Sequence, residues 1–221
     1  MECPNLFFFR HGETDWNASF RIQGSTDIPL NALGHLQSQE LRKALRVLKI
    51  ETILSSDLTR ARVTAEEASR GLGISILLDP RLREANYGNL EGRTRDEITA
   101  EKGPEFIQRL WKQPFTDAMA AEFQIEPPSQ VFDRVMSAVK DCIAAHPPKA
   151  RIGFSSHGGV IRRLIENALQ NELDNENAIE NEPHFEHWRS RILNCTVYPF
   201  YWRNETLKLC VSNPLTVSSP A

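Results

Sequence analysis

The sequence predicts an α/β fold: a three-layer sandwich with a mostly parallel central sheet flanked by helices, carrying a helical cap insertion. Short apolar runs alternate with longer amphipathic ones, the pattern of strand–helix–strand units. Two of the apolar runs end in His-Gly, as strands do when they deliver side chains to one sheet edge. A stretch rich in proline and aromatic residues, 93–128, breaks the alternation and marks an insertion. With 221 residues, 40% hydrophobic and 25% charged, the chain can bury a sizeable core. A collagenous, coiled-coil or wholly disordered chain is excluded.

Residues 6–10, 52–55, 75–79 and 152–155 are apolar and short, the pattern of buried strands. Residues 31–48, 58–72, 130–145 and 159–169 carry apolar positions at helical spacing. Asp57 stands where an N-cap of the second helix belongs, and Gly71 and Gly73 stand near its end. Residues 194–202 and 206–211 read as two late strands joined by a turn at 203–205. The stretch 171–183 is acidic and Asn-rich and reads as a solvated loop. Residues 1–211 are therefore expected to form one domain with its insertion at 93–128, and 212–221 a flexible tail. Phe106, Trp111, Phe115 and Phe123 in the insertion serve either a small core or an apolar wall facing substrate.

No early segment has the length of a secretory core, and none approaches a membrane span. The expected location is cytoplasmic, with no membrane partner. A net charge of −3 is too mild for a general nucleic-acid binder. The four cysteines are scattered without a CxxC pair, so neither a disulfide framework nor a zinc site is expected. His184 and His187 lie three apart beside carboxylates, but a solvated helix or loop explains them without a metal.

The chemistry concentrates at strand ends. Leu6-Phe7-Phe8-Phe9-Arg10-His11-Gly12 and Ile152-Gly153-Phe154-Ser155-Ser156-His157-Gly158-Gly159 share one design. In an open parallel sheet the carboxyl ends of the strands line the ligand crevice, so His11 and His157 are expected to meet. Glycine after each histidine lets the backbone turn and a ligand approach closely. The run from Ser55 to Arg62 puts Arg60 in the first turn of a helix near the same edge, where guanidinium and helix N-terminus both favour anions. With Arg10 these residues predict a pocket for a compact dianion, and phosphate fits best. A carboxylic acid beside such a pocket can protonate a leaving alkoxide; Glu84 and Glu91 are both candidates.

Arg10-His11-Gly12-Glu13-Thr14-Asp15-Trp16-Asn17, Gln23-Gly24, Asp27-Ile28-Pro29-Leu30, residues 55–62 and Ser156-His157-Gly158-Gly159, taken in this order, resemble the histidine phosphatase superfamily. More narrowly they are similar to its cofactor-dependent phosphoglycerate mutase-like branch, in register over 6–169 with a weaker match at 194–197. The resemblance implies that His11 is the nucleophile that forms a phosphohistidine. It implies that Arg10, Arg60 and His157 hold the phosphoryl oxygens, and that Glu84 rather than Glu91 is the general acid. Asn17, Gln23, Gly24 and Gly158 would line the substrate mouth. Glu126 matches a family glutamate ahead of the helix after the lid, but Ile125 and Pro127 flank it where the family has glycine and serine.

Such a cage needs neither cofactor nor metal, and its expected partner is a small-molecule phosphate ester. The first function expected is phosphomonoester hydrolysis; the second is mutase-type phosphoryl transfer; the third is a binding module that kept the fold without turnover. In mutases of this branch the acid opens a Glu-Arg-His-Tyr-Gly run. Here the run is Glu84-Ala85-Asn86-Tyr87-Gly88, so two polar or cationic side chains are missing, which favours hydrolysis. Lys102, Arg109 and Lys112 are the possible substitutes.

Overall fold

The computed structural model describes residues 5–106, 116–173 and 192–210. Six strands form one sheet in the order β3-β2-β4-β1-β5-β6. They are β1 (Leu6–Arg10), β2 (Thr52–Ser55), β3 (Ser75–Leu78), β4 (Ile152–Ser156), β5 (Val197–Arg203) and β6 (Thr206–Leu209). The pairs β1–β4, β4–β2 and β2–β3 are parallel. The pairs β1–β5 and β5–β6 are antiparallel. The α/β expectation therefore holds, with an antiparallel edge added to a parallel centre.

Strand periodicity builds the layers. Successive side chains alternate between the sheet faces, so β1 feeds two cores. Phe7 and Phe9 pack with Leu41, Leu45, Ile53 and Ala65 on one face. Leu6 and Phe8 pack with Val135, Phe154 and Ile161 on the other. The Phe8 and Phe154 rings stack with centroids 4.4 Å apart across the β1–β4 pair. Truncating a buried phenylalanine such as Phe8 to alanine typically costs about 3–5 kcal/mol.

The first face is covered by α2 (Ala32–Val47) and α3 (Thr59–Ser69), and the second by α6 (Pro128–Ala144) and α7 (Gly158–Leu173). A one-turn helix α1 (Asp15–Ala18) follows β1 and is closed by a capping box between Thr14 and Asn17. The insertion folds α4 (Arg95–Lys102) and α5 (Asp117–Glu122). Ile22, Leu90, Ile98, Phe106, Ala120 and Ile125 make its small core. Phe106 and Phe123 meet edge to face there at 4.6 Å, so these two aromatics serve packing; Trp111 and Phe115 lie outside the described residues.

Three local expectations need correction. Asp57 does not cap α3: the N-cap is Leu58, without a side-chain bond. Asp27, from a distant loop, accepts from Thr59 N at 2.8 Å and Thr59 Oγ1 at 2.7 Å, while Asp57 is drawn off to Arg83 at 2.7 Å. The helix α7 runs through residues 171–173, placed in a loop by composition; the rest of that stretch, His184 and His187 lie outside the described residues. The strand β5 begins at Val197 rather than 194, because Cys195 turns the chain with φ +50°.

Candidate active site

Register brings the two histidines together. In the β1–β4 pair Arg10 is opposite Ser156, so the next residues on each strand, His11 and His157, leave the sheet side by side. Their ring centroids are 5.3 Å apart, with planes tilted by 56°, and both side chains are buried.

His11 is held in one tautomer. Its Nδ1 lies 2.7 Å from the carbonyl of Gly12; a carbonyl only accepts, so Nδ1 carries the proton and Nε2 keeps a lone pair. Burial first, then the charges of Arg60 and Arg10, push His11 well below its ordinary 6.5, against a smaller upward pull from the Gly12 bond. The imidazole is therefore neutral at neutral pH, the state a nucleophile needs. Gly12 has no room for a side chain, since a Cβ there would lie 2.4 Å from the Gly34 carbonyl oxygen.

Arg60 is fully buried, and its guanidinium organises the floor. Nη1 donates to Thr26 O and Nη2 to Gly24 O, each at 2.7 Å. Nε donates to His157 Nδ1 at 3.3 Å. Three of five N–H groups are thus used, and two remain on a side chain that lines the cavity. Burial is the main reason its pKa falls to about 10, so it stays charged at neutral pH. His157, accepting at Nδ1, donates from Nε2 to Ser56 Oγ at 2.9 Å. Burial, then Arg60, lowers His157 well below its ordinary value.

Glu84 and Glu91 part company. Glu84 lines the cavity; its Oε1 accepts from Ala85 N at 3.0 Å and its Oε2 from Gly159 N at 2.8 Å. Glu91 is spent on structure: it accepts from Ser25 N, Thr26 N and Tyr87 N at 2.8–3.0 Å. It thereby braces the 24–26 loop whose carbonyls hold Arg60.

Sequence reading missed Arg134. From α6 it donates to the carbonyls of Arg81, Arg83 and Glu84 at 2.6, 2.7 and 3.2 Å. Its Nε pairs with Glu126 Oε1 at 2.7 Å, and Glu126 Oε2 accepts from Asn86 N at 3.1 Å. Burial would raise Glu126, but the hydrogen bond and charge of Arg134, with the Asn86 amide and the charge of Arg163, together hold the carboxyl below its ordinary value. Arg134 and Glu126 together clamp the backbone on both sides of Glu84. Nothing local singles out one arginine of an amphipathic helix whose partners are carbonyls 50 residues away.

A cavity of about 370 Å³ lies at this site. Arg10, His11, Arg60 and Glu84 line it, together with Asn17, Gln23, Gly24 and Gly158. His157 reaches the site through Arg60 and its ring contact with His11 rather than by lining the cavity. Asn194, placed in a strand by its sequence context, instead lines the cavity and donates to His11 O at 2.8 Å. Ala85 is buried in the core beside Leu82 and Val131, and Asn86 turns its Oδ1 to Gly88 N. Lys102 pairs with Glu101 at 3.0 Å; Arg109 and Lys112 lie outside the described residues. Among the described residues no group of three or more His, Cys, Asp or Glu is placed to hold a metal ion.

A mostly parallel sheet that brings two buried histidines side by side, one of them lining a cavity with two arginines, defines a histidine-centred α/β class. The chain belongs to the histidine phosphatase superfamily (branch 1), whose family model matches residues 6–206. Relatives named probable phosphoglycerate mutase GpmB share 34% identity over 194 residues in Escherichia fergusonii, covering 87% of this chain and 82% of the relative. The Cronobacter sakazakii relative of the same name shares 33% over 192 residues, covering 87% and 82%. Among solved structures, a mycobacterial glucosyl-3-phosphoglycerate phosphatase complexed with VO3 superposes with a TM-score of 0.73 at 27% identity, covering 95% of this chain and 100% of that one. Bacillus stearothermophilus YhfR gives 0.73 at 29% identity, covering 92% and 94%. The relatives' names thus include both phosphatases and mutases. No helix among the described residues is long and apolar enough to cross a membrane.

Proposed function

We propose that this protein is a phosphomonoesterase that hydrolyses small phosphorylated metabolites through a phosphohistidine on His11. The observation that carries the reading is His11 itself: neutral, buried, pinned at Nδ1 and flanked by Arg10 and Arg60, with Nε2 free. Nε2 attacks phosphorus, a P–N bond forms, and the P–O ester bond breaks. Arg10 and Arg60 balance the charge on the phosphoryl oxygens, the main demand of such a transition state; losing one donor of this kind typically costs about 10²–10³ in rate. His157 supports that charge through its contact with Arg60. Glu84 acts as the general acid toward the leaving oxygen. Water then attacks the phosphohistidine, Glu84 takes its proton, the P–N bond breaks and orthophosphate leaves. The cage supplies this chemistry from side chains, with no step assigned to a metal or cofactor.

Water is the preferred acceptor in this reading because the two cationic or donor positions beside the acid in mutases are Ala85, buried in the core, and Asn86, turned to its own loop. A second reading, phosphoryl transfer within a phosphorylated acid, draws support from the names of the relatives. The experiment supplies 3-phosphoglycerate with a 2,3-bisphosphoglycerate primer and follows free phosphate and 2-phosphoglycerate together. Phosphate release should dominate; isomerisation much faster than release would make the protein a mutase.

A further inference from the structure

The carbonyl that pins the His11 ring belongs to a glycine. His11 Nδ1 meets Gly12 O, and glycine has the widest backbone freedom of any residue. The close approach of Gly34 O leaves no room for a Cβ at this position. The two peptides on either side of Gly12 must therefore be fixed from outside.

Three side chains from three separate elements do this. The His11–Gly12 peptide is planar and is gripped at both ends. Asn194 Nδ2 donates to His11 O at 2.8 Å, and Gly12 N donates to Thr64 Oγ1 at 2.9 Å. The Gly12–Glu13 peptide is gripped at its amide, where Glu13 N donates to Gln37 Oε1 at 2.9 Å; its carbonyl is the one that meets His11. Thr64 has a second bond. Its hydroxyl accepts from Gly12, so its own proton goes to Arg60 O at 2.7 Å, one turn back on α3. Thr64 thus ties the peptide after the nucleophile to the helical turn that carries Arg60. Thr64 is fully buried, Gln37 is half-buried, and neither lines the cavity. Any effect of either on turnover therefore runs through the Gly12 backbone.

We propose that Thr64 and Gln37, with Asn194, are positioning residues for the nucleophile: they hold the peptides around Gly12 so that its carbonyl keeps the His11 proton on Nδ1 and leaves Nε2 open to attack phosphorus. This role rests on the phosphohistidine reading above. Without the Thr64 hydroxyl a buried amide loses its partner and the first peptide can rotate. The Gly12 carbonyl then no longer dictates which ring nitrogen carries the proton.

The test uses three variants. Thr64→Val keeps the shape and removes the hydroxyl, Thr64→Ser keeps the hydroxyl, and Gln37→Leu removes the second grip from a half-buried position. The substrates are p-nitrophenyl phosphate and glycerol 3-phosphate. Nitrogen-15 spectra of the imidazoles report where the His11 proton sits, with the His11 signal assigned by its absence from His11→Gln. Thr64→Val and Gln37→Leu should each lower kcat about ten- to a hundredfold, as a small misplacement of a reacting group does. The loss should be equal for the two esters, because attack rather than departure is impaired, and KM should be nearly unchanged. The His11 proton should sit on Nδ1 in the wild type and in Thr64→Ser, which keeps most of kcat, and be shared between the nitrogens in the other two. A wild-type proton on Nε2, a kcat loss with the proton still on Nδ1, or a shared proton with kcat intact overturns the proposal. So does a loss confined to KM or to the alkyl ester, or a loss in Thr64→Ser as large as in Thr64→Val. If Thr64→Val does not fold, Gln37→Leu decides by the same readouts. If the wild type releases no phosphate from either ester, the hydrolase reading fails, and the proton position alone decides: shared in the variants supports the positioning role, unchanged overturns it.

Discussion

His11 Nδ1 donates to the carbonyl of Gly12 at 2.7 Å, and this one bond leaves Nε2, on a ring that lines the cavity, as the unprotonated nitrogen. Replacing His11 with alanine should cut turnover by at least about 10⁴-fold, as removal of a nucleophile does in enzymes acting by covalent catalysis. The circular dichroism spectrum should be unchanged. Acid-sensitive, base-stable phosphate should be trapped on wild-type protein after rapid quenching, and not on the variant. Normal turnover by the variant would remove His11 from the mechanism.

Stability should fall on mild acidification. His11 and His157 are buried and held well below their ordinary 6.5, so below pH 6.5 the unfolded chain binds protons that the native state refuses. Their contribution is complete above pH 6.5 and is lost as pH falls from 6.5 toward the native values, at about 1.4 kcal/mol per pH unit for each histidine. Urea midpoints measured from pH 7 to 5 on wild type and on a His11→Gln, His157→Gln double variant check this. Equal slopes would mean that other groups govern acid stability. The acid limb of kcat/KM assigned to His11 should likewise lie below pH 6.5.

Glu84→Gln should slow turnover about 10²–10⁴-fold with alkyl phosphates, the usual loss of a general acid, and far less with p-nitrophenyl phosphate, whose leaving group needs no proton. Glu91→Gln should lower thermal stability and show no dependence on the leaving group, since Glu91 braces the 24–26 loop. Gly159→Ala should reproduce the Glu84→Gln pattern, because its Cβ would lie 2.5 Å from Glu84 Oε1. A uniform loss across leaving groups for Glu84→Gln would assign that side chain another task.

Arg134→Met should act on the same step from outside the cavity. It strips donors from three carbonyls and leaves Glu126 half-buried without its partner, at a cost of about 3 kcal/mol or more in folding stability. If the clamp positions Glu84, kcat should fall more for alkyl than for p-nitrophenyl phosphate, with Arg134→Lys recovering part of the difference. A drop in stability with equal losses for both esters would make Arg134 a packing residue only.

The alternation of apolar and amphipathic runs was enough to place every strand and the four helices that cover the sheet, because period and burial are local properties of a segment. His11, Arg10, Arg60 and His157 were legible too, since short motifs at strand ends carry them. What the chain alone did not determine is set by contacts between segments far apart. Asp27 displaced Asp57 as the cap of α3, Cys195 delayed β5, and Arg134 locked the loop of Glu84. The residues by themselves leave Glu84 and Glu91 open and the family resemblance implies Glu84; the physical reason for their separation is tertiary, since the backbone amides that each one meets hold one at the cavity and the other at a loop. A side chain bonded to distant backbone leaves no period or motif behind, so tertiary structure alone decides which polar residues form the scaffold and which remain for chemistry.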